Sequence, residues 1–331
     1  MTFLPLDEPA GRRAVQLVVT LGPASFDRAP ELAEAGATAF RLNASHLTPA
    51  ALRGAVELVR RELPLWPLVV DLQGAKMRLG VFVERTIVAG ETLSFAVDPA
   101  SAEEIPLPHA ELFAAVRAGD RFGCDDDRLC FRVKEVGEQR LRAVALAPGD
   151  LRARKGVNLF DHPLELVDLG AADVEALEAL EGKSGLAWAF SFMKDGTEVD
   201  WVRRRQPGAL IVGKVERAEA VEGLDSIASL VDAVWICRGD LGAQLGLAAL
   251  ARTVASLDPR RYSRPMLMAG QVLEHLTRHP EPTRSEVCHL HDLLARGYAG
   301  VVLSDETAIG DDPVGAVRVA HRLIHDLWPG L

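Results

Sequence analysis

The sequence lacks the features that would place the chain in a membrane, outside the cell or on nucleic acid. No apolar run approaches the roughly 20 residues of a membrane-spanning helix, and the first residues lack the positive-then-apolar pattern of a secretory signal peptide. The four cysteines form no CxxC pair and no zinc-type spacing, which predicts reduced thiols and a cytoplasmic protein. A net charge of −10 argues against a general nucleic-acid binder.

Lysine is also scarce in this chain. Of the 37 basic residues only six are lysines, so arginine is the default cation. Because an ammonium is a compact point charge and a guanidinium is a planar fork, the two are not interchangeable in a tight site. A lysine in a chain that otherwise uses arginine is a stronger functional candidate, which favours Lys76, Lys155 and Lys214.

Apolar, strand-like runs alternate with helical stretches over most of the chain. The alternation covers residues 16–73 and resumes after Gly156, with about 25 to 30 residues per unit. It gives eight strands in all. This pattern predicts an α/β fold of the (β/α)8 TIM barrel type, which takes about 250 residues. A doubly wound open sheet is the structural alternative.

Residues 81–154 interrupt the alternation. They consist of short strand-like runs separated by polar turns, such as those at Gly119 and Gly137. Short strands with hairpin turns predict a small inserted antiparallel β domain. The expected organisation is therefore barrel over residues 1–80, inserted β domain over 81–154, and barrel again over 155–331.

Polar residues are predicted at the carboxyl ends of the barrel strands. They are Thr20, Arg41, Asn43, Ser45, Asp71, Lys214, Glu216, Asp240 and Glu306. Because the strands of such a barrel are parallel, these ends meet at one mouth, where barrels carry their chemistry. The sequence therefore predicts that these side chains converge.

Lys214, Glu216 and Asp240 form the most informative part of this set. Side chains alternate along a strand, so Lys214 and Glu216 are expected on one face. Two carboxylates can hold a hard cation such as Mg²⁺, and a lysine beside that metal can stabilise charge on a transferring group. A buried structural ion pair is the alternative interpretation.

Eight stretches resemble the pyruvate kinase family and occur in the family's order. They are TLGPAS (20–25), FRLNASH (40–46), VVDLQGAKMRLG (69–80), KGVNL (155–159), VGKVERAEAVEGLDSI (212–227), RGDLG (238–242), GQVLEHLTRHPEPTRSE (270–286) and LSDETAIGDDPVGAV (303–317). The resemblance implies phosphoryl transfer between phosphoenolpyruvate and ADP, giving pyruvate and ATP, with Mg²⁺ or Mn²⁺. It also implies that the inserted domain is a mobile lid, with Asp125 and Asp126 in an acidic hairpin.

The resemblance further implies roles for the residues of the substrate site. Lys214 corresponds to the lysine that stabilises the phosphoryl group in flight, and Arg41 to the arginine that contacts the phosphate. Glu216 and Asp240 correspond to the ligands of the divalent metal. The backbone of Arg238, Gly239 and Asp240 corresponds to the cradle for the substrate carboxylate.

Two more sites follow from the same resemblance. Asn43, Ser45 and Asp71 correspond to the pocket for a monovalent cation. His46, Arg78 and Lys155 correspond to the nucleotide side.

The chain departs from the family pattern at several positions. Gly270 stands where the family usually has a threonine, whose hydroxyl assists proton delivery to the enolate. Gln73 and Ala75 replace the usual lysine and proline, and Asp305 replaces a glycine. The chain stops at Leu331, which predicts that the family's C-terminal regulatory domain and its effector site are absent.

Lys76 stands where many family members carry a glutamate. Members with glutamate typically need potassium, and those with lysine resemble enzymes that do not, because an ammonium can replace the cation's charge. We therefore expect activity without K⁺. A surface lysine on a loop is the alternative.

Two other functions stay open at this point. One is a metal-dependent lyase or aldolase that acts on a pyruvate enolate, which the changes at Gln73 and Asp305 would permit. The other is a non-catalytic metabolite-binding protein, against which the intact Lys214 argues. The expected partners are small-molecule substrates and a second copy of the chain, in a homodimer through the barrel.

Overall fold

The computed structural model describes residues 15–125, 128–161 and 166–327, so Asp126 of the expected acidic hairpin lies outside the described residues. The chain divides into two compact units. The first runs to Gly74 and resumes at Asp168, and the second spans Ala75–Val167. In the described part of the chain, no helix is long and apolar enough to cross a membrane.

The first unit begins with three strands and two helices. They are β1 (Gln16–Leu21), α1 (Ala29–Glu34), β2 (Ala39–Asn43), α2 (Pro49–Glu62) and β3 (Leu68–Leu72). The start of α2 can be read from the sequence, because Thr48 accepts the Ala51 backbone N–H at 3.2 Å and Pro49 occupies the first turn.

The second unit consists mainly of antiparallel strands. They are β4 (Met77–Arg78), β5 (Arg85–Ile87), β6 (Thr92–Ala96), β7 (Ile105–Pro106), α3 (Ala110–Ala115), β8 (Arg121–Cys124), β9 (Leu129–Val136), β10 (Arg140–Ala145), β11 (Gly149–Leu151) and β12 (Gly156–Leu159). Seven strands form one sheet in the order β4-β12-β8-β9-β10-β6-β7, in which β6 and β7 pair in parallel, and β11 pairs with β5. Three packed rings, Phe95, Phe122 and Phe131, lie in its core at centroid distances of 5.1 to 5.4 Å.

This unit is wider than the expected insertion over residues 81–154. Strand β12 pairs with β4, with Gly156 opposite Arg78 and Val157 opposite Met77, and it also pairs with β8. Residues on both sides of the expected boundaries therefore belong to the sheet of the second unit. Pairing across about 80 residues leaves no local signal, so the sequence pattern assigned both segments to the barrel.

The first unit then resumes and completes its elements. They are α4 (Ala171–Ala179), β13 (Leu186–Phe190), α5 (Glu198–Arg203), β14 (Leu210–Val215), α6 (Ala218–Glu222), α7 (Leu224–Leu230), β15 (Ala233–Cys237), α8 (Arg238–Leu245), α9 (Leu247–Ser256), β16 (Met266–Ala269), α10 (Arg284–Ala295), β17 (Gly300–Leu303), α11 (Asp305–Ala308) and α12 (Pro313–Leu327).

Eight of these strands form a closed parallel barrel in the order β1-β17-β16-β15-β14-β13-β3-β2. The expected (β/α)8 barrel is confirmed, and the open-sheet alternative is wrong because the first strand pairs with the last, Gln16 opposite Gly300. A cluster of mostly small buried residues from alternate strand positions surrounds Trp235. The larger residues at the intervening positions pack with the helices, as the period of two along each strand requires.

Two expected strand-end residues lie in helices instead. Asp240 was expected to close the strand that begins at Ala233, but that strand ends at Cys237 and α8 begins at Arg238. Glu306 lies in α11, because β17 ends at Leu303. In both cases the apolar run ends earlier than the expected strand, and the first charged residues begin a helix.

Candidate active site

Lys214 lies at the centre of a buried polar network at the carboxyl ends of three neighbouring strands. Its Nζ lies 3.0 Å from Asp71 Oδ2, 2.9 Å from Glu216 Oε1 and 2.7 Å from Ser191 Oγ. Asp71 is on β3, Ser191 follows β13, and Lys214 is on β14. Because β13 pairs with both β3 and β14, the strand order alone brings the three side chains together.

Arg41 joins the same network from β2. Its Nε donates to Asp71 Oδ2 at 2.7 Å, its Nη2 lies 2.6 Å from the same oxygen, and its Nη1 donates to Thr20 Oγ1 at 3.0 Å. Asp71 therefore accepts hydrogen bonds from two cations at once. A carboxylate shared by an arginine fork and a lysine holds both positive charges in fixed positions.

The shifts in pKa indicate that Asp71, Lys214 and Arg41 are all charged at neutral pH. Burial opposes charge on Asp71, but Lys214 and Arg41 outweigh it, and the pKa of the Asp71 carboxyl is lowered. Burial also opposes charge on Lys214, but Asp71 and Glu216 outweigh it, and the pKa of the ammonium is raised. The pKa of the Arg41 guanidinium is raised by Asp71 in the same way, against its burial.

Sequence reasoning missed Ser191, which contacts both Lys214 and Asp71. Its hydroxyl accepts from Lys214 and donates to Asp71 Oδ1 at 3.1 Å. The signal was present, because Ser191 is the first polar residue after β13, as Asp71 is the polar residue near the end of β3. The next residue, Phe192, has φ +57 and donates its backbone N–H to Glu216 Oε2 at 2.8 Å, which fixes the second oxygen of that carboxylate.

Arg238 lies at the start of α8, where the backbone was expected to cradle a carboxylate. Its guanidinium donates to Gly270 O at 2.9 and 2.7 Å, to Gln271 O at 2.8 Å and to His289 Nε2 at 2.7 Å. The side chain is therefore occupied in holding the loop after β16. The backbone N–H groups of residues 238–240 belong to the first turn of a helix and have no intrahelical acceptor, which suits them to a carboxylate.

Gly270 faces this turn and adopts a conformation that favours glycine. Its φ is +83, and an added Cβ would lie 3.1 Å from Gly239 N and 3.4 Å from Arg238 N. A side chain here would be strained and would crowd the same N–H groups. Gly270 therefore leaves the cradle more open than a residue with a side chain would.

The remaining expected residues of the first unit form a short turn. Asn43 accepts the Ser45 backbone N–H at 3.1 Å and so caps the 3-10 turn Ala44–His46. His46 is exposed at the end of that turn. Asp71, the third residue expected around a monovalent cation, is the shared partner of Lys214 and Arg41.

The other expected cations lie in the second unit. Lys155 Nζ lies 2.8 Å from Asp125 Oδ1, and Arg78 Nη1 donates to Arg154 O at 3.1 Å. Lys76 packs so closely on Gly156 that an added Cβ there would lie 2.8 Å from the lysine Cε. The glycine therefore gives room to the end of the Lys76 side chain, which a larger residue at position 156 would displace.

The described residues contain no group of three or more His, Cys, Asp or Glu side chains arranged to hold a metal ion. Mg²⁺ usually takes only one or two carboxylates and completes its shell with waters and substrate oxygens. Lys214 and the Phe192 N–H each fix one oxygen of the Glu216 carboxylate, and Asp240 is partly exposed in the first turn of α8. These oxygen donors fit a two-carboxylate magnesium site that substrate completes.

A closed β/α barrel that holds Lys214 and Arg41 on one carboxylate is typical of enzymes that handle anionic substrates at the barrel mouth. Comparison with known proteins identifies the family. The family model "Pyruvate kinase, barrel domain" matches residues 12–317. The chain therefore belongs to the pyruvate kinase family and is a transferase of that family.

Individual relatives agree with this assignment. The pyruvate kinase of Methylorubrum extorquens is 34% identical over 328 residues, which cover 94% of this chain and 68% of the relative. Human pyruvate kinase PKLR is 29% identical over 98% of this chain and 62% of its own length. The crystal structure of pyruvate kinase from Pyrobaculum aerophilum superposes with a TM-score of 0.80 at 27% identity, covering 94% of this chain and 73% of that one.

Proposed function

We propose that the chain transfers a phosphoryl group between phosphoenolpyruvate and ADP. The observation that carries the proposal is that the buried Lys214 and the half-buried Arg41 are held 3.0 and 2.7 Å from one carboxylate oxygen of Asp71. Phosphoryl transfer asks the protein mainly for alignment and for positive charge around the equatorial oxygens. A permanently charged lysine and arginine at the barrel mouth meet that requirement.

Each residue then has a role in the proposed reaction. Arg41 binds the phosphate, and Lys214 stabilises the charge on the phosphoryl group as it leaves the enol oxygen for the terminal oxygen of ADP. The N–H groups of residues 238–240 orient the substrate carboxylate. Glu216 and Asp240 would hold the divalent cation, which when bound neutralises charge on the substrate oxygens.

The experiment is a coupled assay with phosphoenolpyruvate, ADP and Mg²⁺ on wild type, Lys214→Met and Lys183→Met. Lys183 is the matched control, since it is an exposed lysine paired with Glu57 at 3.0 Å. We expect turnover in wild type and Lys183→Met and a loss of at least about a hundredfold in Lys214→Met, because its charge matters mostly in the transition state. Near-wild-type turnover by Lys214→Met would contradict the proposed role.

A lyase or aldolase that acts on a pyruvate enolate is the second candidate, and Gly270 is the observation that favours it. A glycine in place of threonine removes the hydroxyl that assists enolate protonation and opens the space beside the cradle. Release of the aldehyde from a 4-hydroxy-2-oxo acid, with Mg²⁺ and without nucleotide, measures carbon–carbon cleavage before the enolate is protonated. Aldehyde release together with no turnover in the coupled assay favours this candidate.

We also propose that the enzyme works without potassium, on the basis of Lys76. An ammonium can provide the positive charge that a bound monovalent cation would otherwise supply. Wild-type activity should therefore be equal in tetramethylammonium and potassium buffers of matched ionic strength. Lys76→Glu should be less active without potassium and partly rescued by it, whereas Lys134→Glu, an exposed control in the same unit, should behave as wild type.

A homodimer through the barrel completes the proposal, with the cytoplasm as the place of action. Helix α9 has apolar residues on one face, yet none of its residues is fully buried, and its Leu247 is 83% exposed. An apolar face of this kind suits contact with a second copy. Leu247→Lys should convert a dimer to a monomer in light scattering, and a wild type that is monomeric at high concentration would exclude the dimer.

A further inference from the structure

Arg238 connects three segments of the barrel unit and is itself held by a histidine. Its guanidinium reaches from the start of α8 to the carbonyls of Gly270 and Gln271, which have φ of +83 and +52. On the other side, Nη1 lies 2.7 Å from Nε2 of His289 on α10. The position of Arg238 therefore depends on His289 as well as on the loop after β16.

The chemistry of this contact fixes the protonation state of His289. A guanidinium has only donors, so Nε2 must accept, and the imidazole must be neutral with its proton on Nδ1. If Nε2 were protonated, two donors and two positive charges would face each other across 2.7 Å. Among the described residues, no carboxylate lies within ion-pair distance of Arg238 to absorb such a change.

Burial and the charged groups around His289 together lower the pKa of its imidazole. Burial lowers the pKa of the imidazole most, and Arg238 and Arg296 lower it further, whereas Asp292 raises it. Around Arg238 itself, burial lowers the pKa of the guanidinium, and Tyr298, Glu306 and Glu286 act in the opposite direction. Neutral His289 is therefore the state that this cluster favours near pH 7.

Protons can reach this contact from solvent. Arg238 and His289 line an open cavity of about 360 Å³ between α9 and α10, whose apolar wall includes Leu250, Val254 and Leu293. The histidine is only partly buried. In the monomer, a change in pH can therefore reach the Arg238–His289 hydrogen bond without unfolding the barrel, and Leu247, proposed above for the dimer contact, lines the same cavity.

We propose that His289 is a positioning residue that makes the carboxylate cradle sensitive to pH. Neutral His289 holds Arg238, and through it the first turn of α8 and the loop at Gly270, in the binding geometry. A proton taken up from solvent at Nε2 breaks this hydrogen bond and makes the imidazolium repel the guanidinium, which shifts Arg238 together with the Gly270 and Gln271 carbonyls that it holds, so the substrate carboxylate binds more weakly in acid. Only the part of this inference that concerns substrate affinity rests on the proposed function.

The first experiment tests the contact without using activity. Long-range ¹H–¹⁵N NMR of the histidine rings, with His289 assigned from its loss in His289→Gln, reports both tautomer and pKa. We expect an Nδ1–H tautomer with a pKa below the ordinary value of about 6.5. Arg238→Met should raise that pKa, because the facing charge is removed. An Nε2–H tautomer, or a pKa that is indifferent to Arg238→Met, would overturn the proposal.

The second experiment measures magnesium-dependent oxalate binding by calorimetry from pH 5 to 8 in wild type, His289→Gln and His291→Gln. Glutamine keeps an acceptor for Arg238 but does not titrate, and His291 is an exposed histidine on the same helix. A single linked proton changes affinity by up to about tenfold per pH unit below the pKa. We expect this loss in wild type and His291→Gln and a flatter profile in His289→Gln.

The outcomes separate the two proposals. Equal pH profiles for wild type and His289→Gln, with thermal melts showing both proteins folded at each pH, would exclude the positioning role and leave the kinase proposal intact. Oxalate that fails to bind at every pH would contradict the proposed substrate site, and the NMR result would still decide whether His289 holds Arg238.

Discussion

The barrel unit carries two groups of charged residues after its strands, and they are built in opposite ways. The group at the carboxyl ends of β2, β3 and β14 alternates signs, with Arg41, Asp71, Lys214 and Glu216 joined by contacts of 2.6 to 3.0 Å. The second group follows β16 and β17 and consists of the acids Glu274, Asp305 and Glu306. Burial and then Glu306 raise the pKa of Glu274 to about 7, and burial raises the pKa of Glu306 as well.

The two groups differ in what they provide. The first holds permanent charges, and the second holds a proton that is exchanged near pH 7. In the first group each charge stabilises the next, so neutralisation is unfavourable and the positive charge on Lys214 and Arg41 is permanent at neutral pH. In the second group neighbouring acids oppose ionisation, so a proton on Glu274 is exchanged near pH 7. A phosphoryl group needs the former, and protonation of an enolate needs a group of the latter kind. Substitutions at Asp71, Ser191 and Glu274 test this division.

The largest expected effect comes from Asp71→Ala. It leaves Lys214 and Arg41 buried without their shared partner, and breaking a buried ion pair costs about 3–5 kcal/mol. We expect a loss of that size in the free energy of urea unfolding, together with loss of phosphate binding. Asp71→Asn should lie between wild type and alanine. A change below about 1 kcal/mol in Asp71→Ala would show that solvent already screens the network.

A smaller effect is expected from Ser191→Ala. The hydroxyl accepts from Lys214 at 2.7 Å and donates to Asp71 at 3.1 Å, so its removal leaves one donor position of the ammonium without a partner. We expect a destabilisation of about 1–3 kcal/mol in thermal or urea unfolding. Ser229→Ala serves as the control, because Ser229 is an exposed serine that bonds only a local carbonyl. Equal melting temperatures for the two variants would contradict the network role of Ser191.

The smallest effect concerns pH and the acidic group. The pKa of Glu274 is about 7 in the folded chain against an ordinary value of 4.5, so the folded state keeps a proton that the unfolded state releases. Stability should therefore fall as pH rises from about 4.5 to about 7. Because the side chain is half exposed, screening limits the change to about 1 kcal/mol, or about 2–4 °C in Tm.

Glu274→Gln removes this titration, so its Tm should decline less than that of wild type between pH 5 and 8. Glu281→Gln, at an exposed glutamate in the following loop, is the matched control. If Tm declines in parallel with pH in wild type and Glu274→Gln, another acid of the group holds the exchanged proton.

The sequence predicted what depends on local pattern. Strand alternation located Lys214 and Asp71 at strand ends, and the capping box of Thr283 and Glu286 that begins α10 is likewise a feature of local spacing. It did not predict the partners of Arg238, because its contact with His289 joins residues that are 51 positions apart. Contacts of this kind follow from strand order and helix packing, and no local spacing encodes them.

The closure of the barrel has a consequence for the order in which the chain folds during synthesis. Strand β1 pairs with β17, and Gln16 lies opposite Gly300, so the first strand waits for nearly the whole chain to leave the ribosome. Until then one edge of a parallel sheet is unpaired, and contacts of such long sequence separation form slowly. The nascent chain therefore exposes a β edge for much of its translation, and we expect chaperone dependence to end only when residues 300–303 emerge.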